Sequence, residues 1–308
     1  MKLPNTVINF HVIQNSRWME EILRVLLRFY NMVSAKDVER FYFGGLDLKN
    51  ACHITVDDGD ISVYTHLFPL IKKYNIPISI YVSPMAVMTG RNFWFQEIDG
   101  YDLKLFLGYY NKKYKQKHVF EGKYQVYALV KSLQLKEIHQ LIVGYKHAYG
   151  IPDKPRRCMT LEQLLELKAS GLVDIGAHTM HHPILRNESL ATVREEIQQS
   201  IEKLGEVLGE EIKYFAYPNG VPVIDFGNRE MDVLRDCGIK LAFSTQAKSF
   251  TVNDHPLSVP RRGITKGGPM FVLAKLALGD KWEALKRLLK GKQEPDFRLG
   301  KEGNGNSQ

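Results

Sequence analysis

At 308 residues, 44% hydrophobic and 25% charged, the chain has the composition of a soluble globular protein whose core needs no covalent staples. Its three cysteines, Cys52, Cys158 and Cys237, are widely spaced and lack a CxxC pairing, which argues against a disulfide framework or a thiolate metal site and for buried thiols in a reducing compartment. The net charge of +8 gathers partly in residues 109–125 and near the C-terminus; it suits solvated helix faces, with sugar phosphates or anionic lipid as the functional alternatives, and no nucleic-acid motif accompanies it.

The opening "MKLPNTVINFHVIQ" lacks the charged start, apolar core and cleavage site of a secretory signal. No run reaches the roughly 18 apolar residues of a membrane span, so the expected location is the cytoplasm. "TVINFHVI" reads as a strand and "SRWMEEILRVLLRFYN" as the helix after it; "CHITVDD" is followed by the helical "ISVYTHLFPLIKKYN", then comes the strand "PISIYVS". Residues 94–155, rich in lysine and tyrosine, break this rhythm and read as a helical insertion. The alternation resumes with "VDIGAH" and "SLATVREEIQQSIEKLGEVLG", in which Leu190, Val193, Ile197, Ile201, Leu204 and Leu208 follow helical spacing and Gly209 is a stop. "KYFAYPNG", "NREMDVLRDCG", "LAFST" and "LSVPRRGI" complete a βα pattern over residues 1–265, which argues for a parallel sheet with helices outside it, open or closed into a barrel. Residues 266–292 form a basic amphipathic helix, and residues 293–308, ending in "GKEGNGNSQ", are expected to be disordered.

In such folds ligands collect at the carboxyl ends of the strands, and there this chain places its unusual residues. Asp57 and Asp58 end one strand, His178 and His182 another, and the turn "YPNG" ends a third. One carboxylate and two histidines four residues apart make three ligands of the type a catalytic zinc accepts, with positions left for water and substrate. Asp58 is the expected metal ligand, and Asp57 stays close enough to take a proton from the attacking water. Taken alone, Asp-Asp-Gly also suits an ordinary turn with a helix cap, and His181 between the paired histidines reads as a bystander.

The combination resembles the polysaccharide deacetylase family, carbohydrate esterase family four. "TVDDG" at 55–59 is similar to its T-F-D-D-G signature, and "HTMHHP" at 178–183 matches its second signature, H-[ST]-x-x-H followed by proline. "NFHVI" resembles the first strand of a branch that makes or trims exopolysaccharides. The resemblance covers roughly residues 5–265. It implies a distorted (β/α)7 barrel and metal-dependent removal of acyl groups from sugars, with Asp57 as base, Asp58, His178 and His182 as ligands of a divalent ion, expected to be Zn2+, and Thr179 supporting the histidine loop.

Two motifs depart from the family pattern. In "AYPN", beside Tyr217, Ala216 stands where the family has the arginine that holds the base, and Asn219 replaces an aromatic residue whose backbone amide helps bind the oxyanion. The second change is harmless, because a backbone N–H survives any substitution but proline. The usual leaving-group histidine after Leu241 is missing as well. Arg261 or Arg262 of "VPRRGI" is the expected substitute partner of Asp57, and His11 the remaining candidate for the general acid.

The reading is therefore hydrolysis of an N-acyl group, expected to be acetyl, on an amino sugar, nucleotide sugar or lipid-linked glycan precursor of surface polysaccharide. Trp94, with Phe93 and Phe95, is a candidate sugar-stacking wall, with core packing, the commoner role of aromatic residues, as the alternative. The C-terminal helix either packs on the barrel or offers a peripheral contact to the inner face of the membrane. An N-deformylase of a formylated sugar would share the metal site, and the two departures would also suit a catalytically decayed carbohydrate-binding protein.

Overall fold

The computed structural model describes residues 3–279, 282 and 293–299. In chain order it contains β1 (Thr6–Phe10), α1 (Ser16–Phe29), β2 (Asn31–Met32), α2 (Ala35–Phe43), β3 (Ala51–Asp57), α3 (Phe68–Tyr74), β4 (Ile78–Val82), α4 (Pro84–Thr89), α5 (Trp94–Ile98), α6 (Leu103–Tyr114), α7 (Lys123–Val130) and α8 (Leu135–Tyr149). There follow α9 (Leu161–Ala169), β5 (Val173–Ala177), α10 (Leu190–Leu208), β6 (Tyr214–Ala216), α11 (Asn228–Asp236), β7 (Leu241–Phe243), β8 (Arg262–Gly263), α12 (Pro269–Leu278) and α13 (Glu294–Leu299).

All strand pairs in the sheet are parallel, in the order β7-β6-β5-β4-β3-β1-β8, with β2 beside the start of β3. A parallel bridge between Phe243 and Val259, just before β8, joins the two ends of that order and makes the sheet a closed, distorted (β/α) ring. The segment before β8 completes it by donating the Val259 N–H to the Ala242 carbonyl and accepting from Ser244.

Strand alternation sorts the side chains. Ile8, Phe10, Cys52, Ile54, Val56, Ile78, Ile80 and Val82 face outward and pack with the helices, as in α1, whose Met19, Ile22, Leu23 and Leu26 repeat at helical spacing. Each such side chain contributes about 1.5–3 kcal/mol on full burial. The opposite residues, among them Val7, Tyr81, Tyr214, Ala216, Leu241, Phe243 and Val259, fill the barrel interior. Gly176 is required there, because a Cβ would stand 2.5 Å from the Tyr81 ring.

Residues 94–149 carry α5 to α8, which enclose a second cluster with Trp94, Phe106, Leu129, Ile138, Leu141 and Tyr145. Ile184, two residues beyond His182, belongs to the same cluster and ties these helices to the histidine loop. The helix expected over "ISVYTHLFPLIKKYN" starts irregularly: Pro69 has no N–H, and the preceding turn closes through the Phe68 N–H to the Val63 carbonyl, five residues back.

At the C-terminus, α12 packs against α1. Most of the expected basic helix beyond it, 280–281 and 283–292, lies outside the described residues, as does 300–308 of the expected disordered tail. Disorder from residue 293 is corrected for 293–299. Residues 294–299 form α13, which packs on α7 and is anchored by Lys131–Glu294 at 3.0 Å, just after that helix, and by a buried Arg298–Asp225 pair in the segment before α11, anchors that composition alone does not reveal. Among the described residues no helix is long and apolar enough to cross a membrane. The three cysteines are free, with Cys52 and Cys158 buried and Cys237 half-buried.

Candidate active site

The site grows from the last residues of the strands. On β3, His53, Thr55 and Asp57 alternate into the barrel, so Asp57 faces the interior at the carboxyl end. Asp58 would face outward, but its φ of +69° and that of Gly59, +66°, turn the chain left-handed, and the Asp58 carboxylate reaches the same cavity. This turn is how two adjacent carboxylates share one site.

Asp57 is held by three hydrogen bonds from two side chains. Arg261 makes a two-pronged pair with it, Nη1 to Oδ1 and Nη2 to Oδ2, both 2.8 Å, and Asn9 Nδ2 donates to Oδ2 at 3.0 Å. Arg261 is itself fully buried, donating through Nε to the Ser244 carbonyl and through Nη1 to Thr55, with the Tyr81 and Phe243 rings 5.8 Å away. Burial opposes ionisation of Asp57, yet Arg261, then His178, more than offset it and hold the carboxyl below its ordinary pKa. Arg262, the other expected candidate, turns away and donates to the Gly279 carbonyl at 2.9 Å. Ala216 faces the same interior as Arg261, so the positive charge expected at 216 enters from the strand segment before β8 instead.

Asp58 Oδ1 lies 3.5 Å from both His178 Nε2 and His182 Nε2, and it is buried without a hydrogen-bond partner. His178 donates from Nδ1 to the Ala216 carbonyl at 2.7 Å, which fixes the tautomer and leaves the Nε2 lone pair facing Asp58. Burial pushes His182 down to about 3, keeping it neutral as a ligand must be. Burial acts the same way on His178, but Asp58 and Asp57 outweigh it and raise that ring, a field that favours a cation between them. The three donor atoms lie within 4.8 Å of one another. An unpartnered carboxylate oxygen and two imidazole nitrogens, converging and buried, fit a divalent metal ion.

The remaining expected residues lie around this pair of sites. His11 Nε2 stands 3.9 Å from Asp57 Oδ2 on a half-exposed side chain, at the open side of the site. Thr179, at φ +62°, accepts the His182 N–H at 3.0 Å and so braces the histidine loop. Asn219 has φ +59°, its carbonyl accepts from Thr245 at 2.8 Å, and its side-chain Nδ2 is buried and unpartnered. Tyr217 is buried, stacked on Phe226 at 3.6 Å, with its hydroxyl donating to the Leu257 carbonyl, so it shapes the turn rather than the cavity.

Trp94 requires a correction. It is 1% exposed, and its indole N–H donates to the His182 carbonyl at 3.3 Å, so its ring packs in the helical cluster instead of walling a sugar. Phe93 is equally buried; Phe95, half-buried, keeps a ring 5.0 Å from that of His182. Asn9 was not anticipated. Its signal is an amide side chain on the inward face of a largely apolar strand, two positions before His11.

The family model described as polysaccharide deacetylase matches residues 47–242. A poly-beta-1,6-N-acetyl-D-glucosamine N-deacetylase of Staphylococcus aureus (strain MRSA252) is 21% identical over 221 residues, covering 69% of this chain and 54% of that protein, so the chain spans about half the length of the curated relative it matches. Among solved structures, IcaB from Ammonifex degensii superposes with a TM-score of 0.60 at 23% identity, covering 89% of this chain and 97% of that one. The Streptococcus pyogenes deacetylase PplD, solved with acetate, gives 0.59 at 18% identity over 90% and 98%. These likenesses fix the fold.

Proposed function

Because this chain belongs to the polysaccharide deacetylase family, we propose that it hydrolyses the N-acetyl group of an amino sugar in a surface polysaccharide or its glycan precursor. The observation that carries the proposal is the buried Asp57–Arg261 pair beside the convergent Asp58, His178 and His182. A base and a cation site stand next to each other, as metal-assisted amide hydrolysis needs.

Asp58, His178 and His182 would hold the ion, with zinc the expected one. When bound, such an ion supplies Lewis acidity, which eases ionisation of water and polarises the amide carbonyl. Asp57 is the base that accepts the proton of the attacking water; Arg261 and Asn9 keep it ionised and aimed. The backbone N–H of Asn219 donates to the developing oxyanion. His11 faces Asp57 from the open side and delivers the proton to the departing amine. Atoms balance: water adds to the carbonyl carbon, the C–N bond breaks, and acetate and a free amino sugar leave.

A decayed, purely binding protein is disfavoured by the fully buried Arg261, since a charge retained on the base has little purpose in a lectin. The deciding experiment is acetate and formate release by zinc-loaded protein from N-acylated sugars, nucleotide sugars and short glycans, with Asp57→Asn alongside. Acetate release that vanishes in the variant is expected. Formate release would move the acyl assignment, and zinc binding without any release would restore the binding-protein reading.

A further inference from the structure

The loop 217–226, which carries Asn219, is unusually constrained. Tyr217 and Phe226 stack face to face at 3.6 Å and pin its two ends. Within it Asp225 Oδ2 accepts the Val221 N–H, the Asp225 N–H returns to the Val221 carbonyl, both 2.8 Å, and the Val223 N–H donates to Phe226. Val223 has φ +73°, a left-handed conformation that a β-branched residue adopts only under strain. Such a conformation persists only where the surroundings impose it.

An anchor for this loop comes from the far end of the chain. Arg298 of α13 donates from Nη1 to Asp225 Oδ1 at 2.5 Å and from Nη2 to the Ile224 carbonyl at 3.1 Å, with both charged groups buried. The same helix reaches Lys131, after α7, through Glu294, which also lies 3.5 Å from Arg298. The histidine loop sits between these anchor points: Asn187 donates to the Lys131 carbonyl at 2.8 Å, and the Arg186 N–H donates to the Asp225 carbonyl at 3.0 Å. A six-residue helix does not hold itself together in isolation. A buried ion pair is also a costly way to dock one, since apolar residues of similar volume stabilise at least as well. What the guanidinium fork adds is orientation, through two bonds to adjacent residues of one loop.

We propose that α13 is a strap and that Arg298, acting through Asp225, is a positioning residue that holds the Asn219 turn in place. The catalytic half of this inference rests on the deacetylase reading above; the structural half does not. Removing Arg298 leaves the Asp225 carboxylate buried and uncompensated, so the loop must open or neutralise it.

The test uses the full chain with Arg298→Ala and Arg298→Lys. Amide hydrogen exchange is expected to quicken about tenfold or more in 217–226 for Arg298→Ala, less for Arg298→Lys, and to stay unchanged in β3. Zinc affinity and KM should remain within about twofold while kcat falls about tenfold, with Arg298→Lys recovering part of it, because a misplaced oxyanion donor acts on the transition state and not on ground-state binding. Unchanged exchange in 217–226 would overturn the strap. Faster exchange with unchanged kcat would overturn the positioning role. Absence of turnover in the wild type would overturn the deacetylase reading, and the exchange arm would still decide the strap by itself.

Discussion

Two histidines lie buried inside the same barrel, and their surroundings differ in one respect. His53, deeper along β3, donates from Nδ1 to the Val33 carbonyl at 2.8 Å and accepts at Nε2 from the Ser79 hydroxyl at 3.0 Å, so both ring nitrogens are satisfied. His178, at the rim on β5's end, satisfies Nδ1 on Ala216 and leaves Nε2 beside the unpartnered Asp58 oxygen. The lower histidine is part of a closed polar core. The upper one is half of an open valence, and the chemistry of the protein belongs to the layer where buried donors and acceptors are left without protein partners.

The largest effects should come from the upper layer. His178→Ala should lose both the ion and turnover, whereas Asp57→Asn should retain the ion and lose about 10²–10⁴-fold in kcat, read by zinc titration beside acetate release. Full zinc occupancy in His178→Ala would sink the ligand assignment.

Next is the pair that holds the base. Arg261→Ala strands a buried carboxylate and should cost about 3–5 kcal/mol in urea unfolding as well as metal-dependent turnover. Arg262→Ala, whose guanidinium serves Gly279, should keep turnover near wild type. Equal losses of activity in the two variants would erase the distinction drawn between them.

The lower layer should respond to pH instead. Burial pushes His53 down to about 4 from an ordinary 6.5, so the unfolded chain binds one more proton than the folded one between those values. Stability contributed by the neutral ring is complete above the ordinary value and is lost as pH falls toward 4, on the order of 3 kcal/mol in all. His53→Gln should flatten the slope of unfolding free energy with pH across this window and leave turnover at neutral pH intact. An unchanged slope would mean that other groups carry it.

Much of this division is legible in the sequence, for a physical reason. Asp57, Asp58, His178 and His182 each close a run of strand residues, and in a parallel barrel all strand ends of one polarity converge, so chain order alone gathers them. Arg261 could be narrowed to two adjacent arginines; strand alternation then decides which one enters the barrel, and that needs the register with β7 and β1. Asn9 escaped because one polar residue in "TVINF" has no local partner. The helix α2 escaped because its start rests on a Ser34–Asp37 capping box within a short, mixed stretch. The α13 anchor escaped because its meaning lies in Asp225, 73 residues away.

Trp94 gives the smallest and most discriminating test of the boundary between the layers. Read from sequence, "RNFWFQE" is a candidate wall for a sugar ring; in the fold, Trp94 stands behind the histidine loop with its indole N–H on the His182 carbonyl. Trp94→Phe keeps most of the packing and removes one hydrogen bond, so it should cost about 1 kcal/mol in unfolding. Because the bond braces the backbone that carries a proposed ligand, zinc affinity should fall, by less than about tenfold, and kcat at saturating zinc should hold. KM for glycan should not move, since the ring is too buried to meet the substrate. The opposite pattern, a raised KM with zinc affinity unchanged, would mean that the loop opens in solution and that Trp94 belongs to the reacting layer after all.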